Sequence, residues 1–292
     1  MTEPAIAGGA DPHALPSRGL LAIFAHPDDE AFGCGGTLAL AAERHVPTWL
    51  VCATDGDQGG APGEAVDDHS MDPEIRRGEL RCACSAMGIA EPVFLGYRDS
   101  GMEGWGAPEG SLSRADPEEA IGRILAEIRR LRPAVVVTFD PGGIYGHPDH
   151  IAVSRFATEA YRRAARLPGG PSVLYHQALA RSMVGDMQEL MEELAARSGQ
   201  PLPPPGPDDL RQREAMLRLS RPDDEISTVV DVRPAIERKL RALACHGSQM
   251  RGRAWGDVPR DLIDERFGAE TFVRIDPAPT GVERETWLAG AS

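Results

Sequence analysis

Residues 20–36 read LLAIFAHPDDEAFGCGG, a run of six apolar residues that breaks off into His26, Asp28, Asp29 and Glu30 within five positions. A short apolar run with little alternation suits a strand buried on both faces, as in a parallel sheet. Pro27 pushes His26 out of helical geometry and fits the start of a following helix, so the ionisable cluster falls on a strand-to-helix corner.

The same design recurs. AVVVTF (134–139) leads into DPGGIYGHPDHIAV, which sets His147, Asp149 and His150 beyond a second apolar strand. In a parallel sheet such corners lie at the carboxyl ends of the strands, where ligand crevices form. Two segments far apart in sequence can therefore meet at one site. His26 and Asp29 stand three residues apart, as do His147 and His150, a spacing that lets both members of a pair face the same way.

Imidazoles with one carboxylate and no thiolate suit a catalytic Zn²⁺ that keeps three protein ligands and an open water position. If His26, Asp29 and His150 take the ion, then Asp28, His147 and Tyr145 are left for chemistry. Water activated by zinc needs a carboxylate to accept its proton, and a developing oxyanion needs a donor.

Other apolar, β-rich runs are TWLVCAT (48–54), PVFL (92–95), SVLYHQAL (172–179) and STVVDV (227–232), with helical patterns between them. In 116–131, Asp116 suits an N-cap and Pro117 the first turn, while Ile121, Ile124, Leu125, Ile128 and Leu131 share one face. The expected fold class is α/β: a Rossmann-like, mostly parallel sheet flanked by helices, with a helical excursion late in the chain. Residues 55–75 and 96–115 read as long binding loops, and 184–225 as a helical insertion or lid. One catalytic domain over 1–292 is expected, with 1–18 flexible.

Composition narrows the partners. The formal charge of −14 disfavours nucleic acid and anionic membranes, so a small-molecule substrate fits better. The first residues lack a basic start followed by an apolar stretch, and no run approaches a membrane span, which points to the cytoplasm. A homo-oligomer remains open. Cys34, Cys52, Cys82, Cys84 and Cys245 form no C-x-x-C pair and fall mostly within apolar patterns, so reduced core thiols are expected rather than disulfides or a thiolate metal site. Gly33, Gly35 and Gly36 follow the charged cluster instead of opening the first turn after the strand, which argues against a dinucleotide-binding Rossmann protein. No G-x-S-x-G elbow supports a serine hydrolase.

The segments AHPDDEAFGCGGTLA, TDGDQGG, RRGELRCACSAMGI, FLGYRDSGM, VVVTFDPGGIYGHPDH and LRALACHGSQ together resemble the zinc-dependent N-acetylglucosaminyl de-N-acetylases, the PIG-L/LmbE-like family that includes mycothiol-pathway deacetylases. The resemblance implies a Rossmann-like fold and one Zn²⁺ per chain, held by His26, Asp29 and His150. It implies Asp28 as general base, His147 and Tyr145 as stabilisers of the tetrahedral intermediate, and Asp149 as the group orienting His147. It also implies substrate contacts from Arg76 and Asp99, and from Asp57, which stands where the family carries a glutamate. The activity implied is removal of an N-acetyl group from a GlcNAc-containing small molecule. The alternatives are an amidase for a larger acyl group and a non-catalytic metal- or nucleotide-binding protein.

Overall fold

The structure, a computed structural model, describes residues 19–59, 71–185, 193, 207–249, 259–281 and 283–291. The expected flexible segment 1–18 lies outside the described residues.

The run that opens the sequence forms β1 (Leu20–Phe24), every residue of which is buried. It pairs in parallel with β2 (Thr48–Thr54) on one side and β4 (Val135–Phe139) on the other. β3 (Val93–Tyr97) and β5 (Val173–Gln177) extend the parallel sheet outward. Across these five the strand order is β3-β2-β1-β4-β5, so the chain reverses its direction of travel between β1 and β4. Ligands of open α/β sheets collect at such a reversal, and both H-P-D corners sit there.

Two strands complete the sheet. β6 (Thr228–Asp231) was legible in the sequence, whereas β7 (Ala269–Asp276) was not; β7 runs antiparallel to both β5 and β6. Its residues are buried at the start and half-exposed later, so Glu270 and Arg274 interrupt the apolar pattern that marks the central strands.

Flanking the sheet are α1 (Asp29–Glu43), α2 (Pro73–Met87), α3 (Pro117–Leu131), the short turn α4 (Gly143–Gly146), α5 (Pro148–Ala165), α6 (Pro207–Leu219), α7 (Ile236–Cys245) and α8 (Arg260–Phe267). α3 follows its reading closely. The Asp116 side chain accepts from the Glu119 amide at 3.0 Å, and Ile121, Ile124 and Ile128 are buried. Each such side chain contributes about 1.5–3 kcal/mol of transfer free energy.

Gly36 has a packing role within the glycine cluster that follows the first corner. A Cβ there would stand 2.4 Å from Val232 Cβ, so glycine lets the segment after β6 pack directly on α1. The adjoining amides of Gly36 and Thr37 donate to Glu270 at 2.9 and 2.8 Å. The same carboxylate accepts from Lys239 Nζ at 2.7 Å, a buried ion pair that joins β7, α1 and α7.

One expectation is corrected. α2 and α7 pack side by side with the Cα atoms of Cys82 and Cys245 5.7 Å apart, and these two cysteines form a disulfide. Cys34, Cys52 and Cys84 are free and buried, as expected of core thiols. Of the 184–225 excursion, residues 186–192 and 194–206 lie outside the described residues; its second helix is α6, which packs on α4. Among the described residues no helix is long and apolar enough to cross a membrane.

Candidate active site

Each corner delivers its side chains by a distinct piece of backbone. After β1 the chain passes through His26 and Pro27 to Asp28, whose φ of 130° is a conformation that L-residues rarely adopt, and then enters α1. After β4 the loop turns at Gly143, where φ is 61° and a Cβ would lie 2.8 Å from His150 Cβ. Glycine is required on both counts. His147 then caps α5, its Nδ1 accepting from the Asp149 amide at 3.1 Å.

The corners meet. His26 Nδ1 is 3.5 Å from Asp29 Oδ2, and His150 Nε2 is 3.2 Å from Asp29 Oδ1, with the two imidazole nitrogens in contact as well. Donors of a tetrahedral site with bonds of about 2.0–2.2 Å stand roughly 3.3–3.6 Å apart, so the spacing fits a small divalent ion. The far nitrogen of His26 strengthens this fit: Nε2 faces Asp149 Oδ2 at 3.2 Å and Asp99 Oδ1 at 3.4 Å. A carboxylate on the outer nitrogen is what fixes the ring and tautomer of a metal-ligating histidine.

The nitrogens of His26, His147 and His150 also converge within 4.8 Å, which makes His147 a competing donor. Its Nδ1 lone pair, however, is already engaged by the Asp149 amide, so the neutral ring carries its proton on Nε2. A ring in that state donates a hydrogen bond and has no lone pair left for a cation. Burial, followed by the charges of His26 and His150, holds the His147 pKa well below its ordinary value and keeps the ring neutral.

Asp28 stands beside the cluster. Its Oδ2 lies 3.3 Å from Arg76 Nη2, and Arg76 also donates to the Pro27 carbonyl. Burial is the main influence on Asp28; with the negative charge of Asp29 it outweighs Arg76 and pushes the carboxyl up to about 6. Such a group can take a proton near neutral pH and return it. Asp28, Asp29, Arg76, Tyr145 and His147 line a common cavity of about 220 Å³. A larger, more open depression of about 590 Å³ around Arg132 and Tyr161 lies at the amino ends of β4 and β5, away from both corners.

Comparison with known proteins gives the same direction. Residues 21–161 match the family PIG-L, described as GlcNAc-PI de-N-acetylase. A 1D-myo-inositol 2-acetamido-2-deoxy-alpha-D-glucopyranoside deacetylase of Thermomonospora curvata is 36% identical over 282 residues, covering 89% of this chain and 91% of its own. The protein of that name from Salinispora arenicola is 35% identical, covering 96% of this chain and 88% of its own. This chain belongs to the PIG-L de-N-acetylase family. It is an N-deacetylase. Among solved structures, an N,N'-diacetylchitobiose deacetylase from Pyrococcus horikoshii superposes with a TM-score of 0.58 at 21% identity, covering 91% of this chain and 88% of that one, a likeness of fold.

The remaining residues singled out in this de-N-acetylase divide clearly. Arg76 and Asp99 line the cavity, both buried, and Tyr145 stands with its ring centroid 5.1 Å from that of His150. Asp57 does not reach it: Oδ1 accepts from the Asp99 amide at 2.8 Å and Oδ2 from Arg98 Nε at 2.9 Å, so this carboxylate holds the loop that carries Asp99. The Asp149 carboxylate faces His26 and accepts from Ser100, whose amide is 2.8 Å away; its link to His147 is through the backbone amide. Its geometry therefore orients His26 rather than His147. Sequence reasoning missed Ser100, Glu30, Trp105 and Gln249. Ser100 adjoins Asp99 in a quoted segment, but nothing local said that it would reach Asp149.

Proposed function

We propose that this de-N-acetylase removes the acetyl group from a GlcNAc unit linked to inositol, using one Zn²⁺ held by His26, Asp29 and His150. The observation that carries the proposal is that Asp28 and the neutral, Nε2-protonated His147 line one small cavity with His26 and Asp29, two of the three donors. The names of the relatives from Thermomonospora curvata and Salinispora arenicola support the inositol-linked amino sugar.

Zinc at these residues would supply Lewis acidity toward the acetyl carbonyl and make water easier to deprotonate. Asp28 takes a proton from the attacking water as its oxygen bonds to the carbonyl carbon. His147 Nε2–H, with the Tyr145 hydroxyl, donates to the carbonyl oxygen as negative charge gathers on it. Protonated Asp28 then returns its proton to the sugar nitrogen as the C–N bond breaks, leaving acetate and a primary amine. Arg76 and Asp99 hold the sugar hydroxyls at the cavity wall. The acidic balance of the chain supports a freely diffusing substrate instead of one embedded in an anionic membrane.

The test is amine release by the zinc-loaded protein from inositol-linked GlcNAc, free GlcNAc, chitobiose and an inositol-linked glucosamine bearing a long acyl group. Fastest release from the inositol-linked acetyl substrate is expected. Preference for the long acyl group would replace the proposal with an amidase, and no release from any of the four would end it.

A further inference from the structure

The backbone that presents Asp28 is held from beneath by residues that never reach the cavity. Asp28 combines φ 130° with ψ −27°, and its carbonyl accepts from two amides in the first turn of α1, Ala31 at 3.0 Å and Phe32 at 3.1 Å. Its own amide donates to Glu30 Oε2 at 3.1 Å. The other oxygen of that carboxylate meets His246 Nε2 at 2.7 Å. Glu30 and His246 are both fully buried, and neither lines the cavity.

A buried carboxylate needs a compensating partner. Burial disfavours charge on His246, while Glu30 favours it and raises its pKa, so the carboxylate and the ring support one another. His246 reaches this position from a distant part of the chain because residues 245–249 are fastened to α2 and the loop before it. Cys245 is bonded to Cys82, the Ser248 amide and hydroxyl donate to Glu79 at 2.6 and 2.7 Å, and Gln249 Nε2 donates to the Gly59 carbonyl at 3.0 Å.

We propose that His246 is a positioning residue for the catalytic base: acting through Glu30, it holds the Asp28 amide and so fixes the turn from which the Asp28 carboxylate meets the attacking water. The inference rests on Asp28 being the base of the proposed deacetylation. Misplacing a reacting group by about an ångström can cost on the order of 100-fold in rate, which sets the size of the effect.

His246→Met fills the volume without a donor, and His246→Gln keeps a donor within reach of Glu30. With zinc content matched to wild type, H246M is expected to lose about 100-fold in kcat while KM stays within about twofold. H246Q should recover at least about tenfold of that loss, since its amide restores the hydrogen bond. The H246M/E30A double variant should be no slower than E30A, because the two residues act in series. Independently of turnover, hydrogen exchange at the Asp28 amide should speed up in H246M and return toward wild type in H246Q.

Wild-type kcat in H246M, unchanged Asp28 exchange, or losses that multiply in the double variant would each overturn the inference. If wild-type protein releases no amine from any substrate, the proposed activity fails, and the exchange measurement still decides whether His246 holds the Asp28 turn.

Discussion

His26 Nδ1 and His150 Nε2 approach to 3.1 Å although 124 residues separate them in the chain. With Asp29 close to both rings, two imidazole nitrogens and a carboxylate face one another in a buried space, a donor set of the kind that can hold a divalent ion. Chelation should abolish amine release and added Zn²⁺ should restore it. H150A should lose the bound metal by elemental analysis, whereas D28N should keep about one ion per chain. Stoichiometric metal in H150A would remove that residue from the ligand set.

Replacing Asp28 tests the base directly. D28N preserves size and polarity but cannot accept the proton, so kcat should fall by about 10²–10⁴-fold with metal content intact. Turnover at the wild-type rate would show that another group deprotonates the water.

His147 is placed to donate, and a donor to a developing oxyanion is worth about 10²–10³-fold in kcat. H147A should lose that factor, and H147Q, which keeps a neutral N–H donor, should lose less. Equal losses in the two variants would indicate that the ring itself, as metal ligand or acid, is what matters.

How much of this was legible in sequence depends on distance along the chain. The strands β1 to β6 follow from continuous apolar runs, and the two corners follow from His, Pro and Asp standing side by side, because proline and a strand end act within a few residues. β7 escaped because Glu270 serves α1 and Lys239 instead of continuing an apolar stripe. The Ser100–Asp149, Glu30–His246 and Cys82–Cys245 contacts escaped for a different reason. Each joins segments whose meeting is set by sheet order and helix packing, and no local pattern encodes a partner in another layer. Asp57 shows the converse: its place in T-D-G-D-Q-G suggested a sugar contact, while the fold turns it onto Arg98 and the Asp99 amide.

The disulfide makes a stability prediction. Joining cysteines 163 residues apart restricts the unfolded chain, so C82S should lower unfolding free energy by about 2–4 kcal/mol in urea titration. Under denaturing, non-reducing conditions the wild-type protein should titrate three thiols, those of Cys34, Cys52 and Cys84. Five thiols would mean that the bond is absent.

Acid stability should depend on His176, a buried ring that contacts Thr158 Oγ1 at 3.0 Å. Burial, then the charges of Arg221 and Arg162, lower its pKa from 6.5 to about 4. The unfolded chain binds this proton more readily than the folded one. The contribution is therefore complete above pH 6.5 and lost progressively as pH falls toward 4. Between pH 7 and 5, H176Q should lose less unfolding free energy than wild type. Identical losses would show that the ring does not govern this window.

The ion pair beneath β7 has a practical corollary. Lys239 is the single lysine in the sequence, and its ammonium is sequestered against Glu270. Amine-reactive fluorogenic dyes thus meet almost no accessible side-chain target on the folded enzyme, so newly formed glucosamine can be read out in its presence over a nearly silent background.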